Sequence, residues 1–119
     1  MLEHNGDLYA CDHFVEPAHR LGNILENRLV EMAHSERQRR FGLDKRARLP
    51  AYCRRCEVLF ACHGECPRNR FMRTPEGEEG LNYLCPSYKL FFKHVDWPMR
   101  TMADLLHQGR PVSDIIQLL

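Results

Sequence analysis

The chain has 119 residues, of which 44% are hydrophobic, and its 17 basic and 16 acidic side chains leave a net charge of +1. This length allows one small core, and the near balance of charge excludes a strong global attraction to nucleic acid or to a membrane surface. No apolar run approaches the roughly 20 residues that a membrane span needs. The first residues carry no secretory pattern, so we expect no membrane partner and a location in the reducing cytoplasm.

A β-hairpin is predicted at the start of the chain. Asn5-Gly6 is a strong turn signal, because both residues tolerate positive φ, and Leu8 to Cys11 would form the strand that follows it. The second strand would carry Cys11 at its end. The first strand would begin at or before Met1, so we expect the chain to be a piece of a longer domain.

Two short helices are predicted between Cys11 and the next cysteine. Asn23, with Glu26 three residues later, fits an N-cap and capping box, and a second such pair, Ser35 with Gln38, predicts that a new helix starts there. The first helix would present an apolar face made of Leu25, Leu29 and Met32.

A basic stretch follows, with eight Lys and Arg residues between Arg37 and Arg55. A nucleic-acid footprint would be expected to interleave aromatic side chains with the charges, and only Phe41 and Tyr52 do so here. We therefore favour solvated helix faces and expect no nucleic-acid partner.

Four thiols then fall within 14 residues, at the spacing Cys53-x2-Cys56-x5-Cys62-x3-Cys66. Packing alone does not require sulfur at such tight and uneven intervals, whereas a Cys-x2-Cys turn brings two thiolates onto one ion or cluster. The ending Cys-x3-Cys-Pro favours iron, because the bacterial ferredoxin run ends in the same way. The spacing alone leaves zinc open, with His63 as a substitute for one thiol.

With Cys11 and Cys85 the chain has six cysteines. Six thiols exceed one tetrahedral site and fall short of two complete four-cysteine clusters. A disulfide framework would suit a small secreted protein, but no signal peptide accompanies the tight Cys-x2-Cys pair. We therefore favour metal ligation over disulfides.

After the run from Cys53 to Cys66, the composition predicts a loop and then helices. Thr74 to Gly77 has the composition of an exposed turn, and a helix would start near Pro86 and break at Trp97-Pro98. A second amphipathic helix would follow, and Ser113 would cap a last short turn that reaches Leu119.

The cysteine pattern resembles that of a known family. Gly6-x4-Cys11, the run from Cys53 to Cys66, and Cys85 resemble the SPASM domain, the auxiliary-cluster module of certain radical S-adenosylmethionine (SAM) enzymes. The family pattern has one further cysteine upstream of the glycine, and here that position would fall before Met1. Three segments are similar to anaerobic sulfatase-maturating enzymes in particular, namely Tyr9–Val15, Cys62–Pro67 and Leu81–Cys85.

The resemblance implies a role for each cysteine. Four of them would hold an outer 4Fe-4S cluster: Cys53, Cys56, Cys62 and Cys85. Cys11 and Cys66 would supply two ligands of an inner cluster whose other cysteines precede this chain. Asp12 falls at the position of the family's proposed general base.

The resemblance also implies a function. In the full enzymes a 5′-deoxyadenosyl radical removes hydrogen from a sulfatase Cys or Ser, and the auxiliary clusters take up an electron as formylglycine forms. This chain would then relay electrons and support a sulfatase-like peptide beside the radical SAM barrel of a parent chain. It has no Cys-x3-Cys-x2-Cys, so SAM would bind only in that barrel, and we expect no activity from this chain alone.

The resulting expectation is a small, loop-rich α+β fold, mostly helical, in which one N-terminal β-hairpin and several short helices surround cysteine-ligated clusters. Residues 1–95 would form the SPASM-like iron–sulfur domain, and residues 96–119 a C-terminal helical extension. One departure from the family is Glu65, which stands where relatives often have glycine.

Two other interpretations stay open from the residues alone. In the first, the chain is a zinc-stabilised binding module whose basic stretch contacts nucleic acid. It would then bind zinc tightly, and its affinity for nucleic acid would depend on salt. Alternatively it would have no function in isolation and would expose apolar helices that once packed on a missing barrel.

Overall fold

A computed structural model describes residues 1–118 of the chain. Five α-helices occur in this part: α1 Leu29–Ala33, α2 Glu36–Ala47, α3 Ala51–Arg54, α4 Leu59–Cys62 and α5 Cys85–His107. Four strands form two antiparallel pairs, β1 Asp7–Tyr9 with β2 Arg20–Asn23, and β3 Met72–Arg73 with β4 Glu79–Leu81. Short 3-10 segments span Pro17–His19, Pro67–Asn69 and Val112–Gln117. The predicted small, mostly helical and loop-rich α+β class is confirmed.

The predicted turn at Asn5-Gly6 is present, and strand β1 follows it. Gly6 has φ +86°, its N–H donates to the Glu3 carbonyl at 3.0 Å, and Leu2 bridges to Leu8 across the turn. The longer ladder joins β1 to β2, with Leu8 opposite Gly22. Strand β1 ends at Tyr9, so Cys11 lies just beyond the strand in an irregular segment.

The predicted helix start at Asn23 is wrong, whereas the one at Ser35 is correct. Asn23 lies in β2, where its Oδ1 accepts the Leu25 N–H at 2.9 Å, and α1 begins only at Leu29. Asn side chains commonly stabilise such turns in competition with helix. The Ser35 Oγ accepts the Gln38 N–H at 3.2 Å and caps α2.

A second, smaller hairpin lies where the sequence indicated only a loop. Thr74 begins the turn between β3 and β4, and its N–H donates to the Glu78 carbonyl at 2.7 Å. Its Oγ1 accepts the Glu78 N–H at 3.1 Å, and the residue is only 4% exposed. Strands of two and three residues give too short a pattern for sequence periodicity to detect.

Helix α5 runs unbroken through Trp97-Pro98, so the predicted break there is wrong. Proline removes one helical hydrogen bond, but a long helix with stabilising neighbours tolerates that loss. Here Arg100 Nε donates to Asp96 Oδ2 at 2.8 Å, and Thr101 Oγ1 donates to the Trp97 carbonyl at 3.0 Å, on either side of the proline. The division into residues 1–95 and 96–119 falls inside α5 and stays a prediction.

Two further predictions concern the C-terminal turn and a membrane-spanning helix. The last 3-10 segment begins after Pro111, not at a Ser113 cap, and Leu119 lies outside the described residues. Within residues 1–118, no helix combines the length and apolarity that a bilayer crossing demands.

The hydrophobic core is thin, and the chain is extended. Its buried apolar residues are Leu8, Met32, Leu49, Cys53, Val58, Leu105 and Ile115. The Cα radius of gyration is 19.4 Å, against about 13–14 Å for a compact domain of this length. Apolar packing among the described residues therefore supplies little stability, and other interactions must hold the cysteine-bearing loops in place.

Candidate metal centre

Helix α3 and the turn after it position the first two clustered cysteines. Pro50 precedes the helix, and the Cys53 N–H donates to the Pro50 carbonyl at 3.0 Å. One turn later the Cys56 N–H donates to the Cys53 carbonyl, also at 3.0 Å. Cys53 is buried and Cys56 is half-buried. The Cys-x2-Cys spacing therefore forms a tight turn that turns both thiols to the same side of the chain.

Helix α4 ends at Cys62, and an unusual loop then reverses the chain. His63, Gly64 and Glu65 all have left-handed φ values, +49°, +74° and +56°. The Glu65 N–H donates back to the Cys62 carbonyl at 2.8 Å. Three consecutive left-handed residues fold the backbone sharply, and Cys66 follows directly after them.

A side chain at Gly64 would clash with a buried neighbour, which gives a testable prediction. A Cβ at Gly64 would overlap the Cδ2 atom of buried Leu49, and the left-handed φ adds backbone strain. We expect Gly64→Ala to lower the free energy of unfolding by roughly 2–4 kcal/mol, the sum of both effects. The matched control is Gly77→Ala, where φ is +88° but nothing lies within 4 Å. Anaerobic urea unfolding of both variants measures the difference, and equal losses would contradict the packing argument.

Cys85 reaches the site at the first residue of α5. The buried side chain of Asn82 organises the approach, because its Oδ1 accepts the Leu84 N–H at 2.7 Å and its backbone carbonyl accepts the Cys85 N–H at 3.0 Å. A thiolate at the first turn of a helix is favoured by the unpaired N–H groups there. The position suits a cysteine that binds in its deprotonated form.

Four of the six cysteines line one small apolar cavity: Cys53, Cys56, Cys62 and Cys85. Burial raises the pKa of Cys53, and the nearby thiols of Cys85, Cys62 and Cys56 raise it further, while Arg70 lowers it. Burial likewise raises the pKa of Cys85, and Lys89 opposes that effect. A positive metal centre in the cavity would offset the raised pKa values of Cys53 and Cys85, because it favours the thiolate form.

The residues present fit an iron–sulfur cluster. The donor set is four thiols, all of them free, with apolar walls formed by Val58, Leu59 and Tyr88. Fe–S clusters take cysteine thiolates as ligands, and the solvent exposure of a cluster helps to set its reduction potential. Among residues 1–118, no three Cys, His, Asp or Glu side chains converge closely enough to hold a single metal ion. His63, considered above as a zinc ligand, does not line the thiol cavity.

Lys89 and Tyr52 close one side of this cavity. The Lys89 Nζ donates to the Tyr52 hydroxyl at 2.6 Å and lies 4.1 Å from the centre of the same ring. That hydrogen bond raises the pKa of Lys89, and the Cys56 and Cys85 thiols add to the effect. A fixed cation therefore stands beside the thiols that would carry negative charge.

Cys11 and Cys66 lie apart from the four-thiol cavity, in a more exposed group. The His13 Nδ1 lies 3.0 Å from the Cys66 Sγ, so the loop after β1 meets the loop after α4. The Cys11 Sγ donates to Asp12 Oδ1 at 3.1 Å. The structure thus brings the two predicted inner ligands and Asp12 into one neighbourhood, and it adds His13, which the sequence pattern did not single out.

Asp12 is accessible and ionised. Its side chain is 71% exposed. The hydrogen bond from Cys11 holds the pKa of the Asp12 carboxyl below its usual value, and nearby His13 lowers it further. An exposed carboxylate beside a predicted ligand has the access that proton transfer from a bound substrate requires.

Arg70 forms hydrogen bonds with the left-handed loop, His63 to Glu65. The sequence pattern did not single this arginine out. Its Nε donates to the Gly64 carbonyl at 2.8 Å, and its Nη2 donates to the His63 and Glu65 carbonyls at 3.3 and 2.5 Å. Its Nη1 reaches the Lys45 carbonyl of α2 at 2.6 Å. One guanidinium therefore satisfies four carbonyl oxygens and ties the loop to α2, a role that no linear pattern reveals.

Comparisons with known families and sequences agree with this geometry. Residues 1–57 match the family model of the SPASM domain, described as an iron-sulfur cluster-binding domain. The chain is 54% identical over 114 residues to a serine-type anaerobic sulfatase-maturating enzyme of Bacteroides thetaiotaomicron, covering 95% of this chain and 28% of that protein. It is 32% identical over 95 residues to a cysteine-type enzyme of Clostridium perfringens, covering 80% of this chain and 25% of that protein.

Solved structures show the same relationship. The structure of native anSMEcpe with bound AdoMet and the Kp18Cys peptide matches with a TM-score of 0.70 and 29% identity, over 87% of this chain and 28% of that one. The chain spans about a quarter of the length of the curated relatives named above. None of these similarities supports the zinc module or the nucleic-acid interpretation.

Proposed function

Because this chain contains a SPASM iron–sulfur cluster-binding domain of the kind found in anaerobic sulfatase-maturating enzymes, we propose that it serves as an electron-relay and substrate-support domain. It would act within a longer radical SAM enzyme that oxidises a sulfatase Cys or Ser side chain to formylglycine. The reaction, the peptide substrate and the SAM site belong to that whole protein. We place the protein in the reducing cytoplasm, where free thiols persist.

The observation that carries this proposal is that Cys53, Cys56, Cys62 and Cys85 line one apolar cavity. We assign these four residues to one complete 4Fe-4S cluster. Cys11 and Cys66 would hold part of a second cluster, which needs ligands from outside this sequence. A bound cluster supplies an acceptor for single electrons.

The residues of this chain have separate tasks in the proposed reaction. From a serine side chain, formation of the aldehyde would remove a hydrogen atom from the carbon, a proton from the oxygen and one electron. From a cysteine side chain the same three losses would give a thioaldehyde, which water would hydrolyse to formylglycine with release of hydrogen sulfide. The hydrogen atom would go to the 5′-deoxyadenosyl radical formed at the SAM site of the parent protein, and a cluster held by the thiols of this chain would accept the electron. The Asp12 carboxylate would accept the proton, because its side chain is 71% exposed and a carboxyl group is ordinarily deprotonated at neutral pH.

The exposed apolar face of α5 is the argument for a contact with another domain of the same parent protein. Phe91, Val95 and Met99 line a broad apolar groove together with Phe60 of α4. Phe60 is 70% exposed and Phe91 56% exposed, which is costly for a surface that stays in water. We propose that this groove packs against the radical SAM barrel, and that the thin core and the extended shape reflect that missing contact.

Metal and sulfide analysis tests the proposed function directly. The 119-residue chain would be expressed anaerobically, reconstituted with iron and sulfide, and examined by electron paramagnetic resonance after reduction. We expect about four irons and four sulfides per chain and a spectrum typical of a reduced 4Fe-4S cluster. One zinc per chain with no sulfide, persisting after reconstitution with iron, would refute the proposal in favour of the zinc module.

A further inference from the structure

Glu65 adopts a backbone conformation that glutamate rarely takes. Its φ is +56°, in the left-handed region that residues other than glycine, asparagine and aspartate seldom occupy. A glycine would avoid the strain at this position. The presence of a glutamate therefore requires that its side chain make an interaction that offsets the strain.

That interaction is a pair of hydrogen bonds from two different segments of the chain. The Glu65 Oε2 accepts from the Asn69 Nδ2 at 3.0 Å and from the Asn82 Nδ2 at 2.7 Å. Asn69 ends the 3-10 segment after Cys66, whereas Asn82 precedes Cys85. One carboxylate oxygen thus joins the loop after α4 to the segment that leads into α5.

Both asparagines hold the backbone next to a predicted ligand. Asn82 is only 3% exposed, and it accepts the Leu84 N–H through its side chain and the Cys85 N–H through its carbonyl. Asn69 donates its N–H to the Cys66 carbonyl at 3.0 Å and accepts the Tyr83 N–H at 3.0 Å. If Glu65 is removed, the buried Asn82 amide loses its partner and the turn before Cys85 loses its anchor.

We propose that Glu65 is a positioning residue that fixes the Cys66 loop against the Cys85 turn, so that one carboxylate sets the placement of ligands from both predicted cluster sites. This inference rests on the proposed function for its relevance to a cluster, but the contacts themselves belong to the protein alone. It also explains why a glutamate occupies a left-handed position: its side chain connects two loops, which a glycine cannot do.

The test compares Glu65→Ala, Glu65→Gln and Glu65→Gly in the reconstituted 119-residue chain. Iron loss to a chelator is followed by absorbance. We expect loss about tenfold faster for the alanine and glycine variants, because a charged hydrogen-bond acceptor is gone. We expect the glutamine variant to stay within about threefold of the parent chain, since its carbonyl oxygen can accept the same two bonds. Glu31→Ala, an exposed glutamate on α1 that pairs with Arg28 at 3.8 Å, is the matched control and should leave the rate unchanged.

Amide hydrogen exchange separates this inference from the proposed function. In the metal-free chain, Glu65→Ala should increase exchange at the Leu84 and Cys85 amides by about tenfold, and Glu65→Gln should not. If the parent chain takes up no cluster, the proposed function fails while the exchange result still decides the role of Glu65. Iron loss and exchange that are the same in Glu65→Ala as in the parent chain would overturn the inference. So would a glycine variant that retains iron better than the parent.

Discussion

Replacing Cys53 and Cys56 together by serine is expected to abolish assembly of the four-iron cluster. Serine is close to cysteine in size, but its hydroxyl does not ionise near neutral pH and is a poor ligand for the soft Fe–S unit. The iron content should fall from about four per chain to near zero. Metal analysis and the visible absorbance of the reconstituted protein measure the loss.

The same double variant should also destabilise the fold. The core is thin, and cluster binding adds its free energy to folding because the unfolded chain has no preformed site. The matched control replaces Cys11 and Cys66, which lie outside the apolar cavity, by serine. That control should retain about four irons. Full iron content in Cys53→Ser/Cys56→Ser, or complete loss in the control, would contradict our assignment of the four ligands.

Arg70→Met is expected to cause a large loss of stability. The guanidinium satisfies carbonyl oxygens of Gly64, His63, Glu65 and Lys45, and a methionine leaves all of them without that donor. We expect a fall of roughly 2–4 kcal/mol in the free energy of unfolding, since the part-buried carbonyls of Gly64 and Glu65 lose their donor together. Urea unfolding under anaerobic conditions measures it.

Arg70→Lys distinguishes the shape of the guanidinium from its charge. Lysine keeps the positive charge but cannot reach four carbonyls with one ammonium group, so we expect it to recover less than half of the lost stability. The exposed Arg73, paired with Glu79 at 2.6 Å on the surface, gives the matched control. Arg73→Met should cost at most about 1 kcal/mol. A lysine variant as stable as the parent chain would show that charge alone matters at position 70.

Local sequence signals predicted the parts of the structure that depend on neighbouring residues. The Asn5-Gly6 turn, the Ser35 cap and the Cys53-x2-Cys56 turn each rest on contacts within a few residues, and the structure contains all three. The small helical and loop-rich class followed from the same signals. The resemblance carried the rest of the functional interpretation, because spacing alone did not choose iron over zinc.

Contacts between distant segments could not be predicted in this way. Asn23 fits a helix cap by its sequence, but pairing between β1 and β2 takes it into a strand. The contacts of Glu65 with Asn82 and of Arg70 with Lys45 join residues 17 and 25 positions apart. Neither pair has a periodic or motif signal. The left-handed φ of Glu65 was indicated only indirectly, by the glycine that the family resemblance implies at that position.

Helix α5 begins at the predicted ligand Cys85 and carries the apolar groove residues further along. The helix therefore fixes the angle between the thiol and the groove around its axis. Its 23 residues from Cys85 to His107 span about 33 Å at 1.5 Å per residue. Each residue turns the helix by about 100°, so the apolar groove residues Phe91, Val95 and Met99 stand at a set angle to the Cys85 thiol. Any surface that the groove engages is thereby aligned with the thiol cavity, and a single residue inserted between Cys85 and Phe91 would rotate the groove away from that alignment.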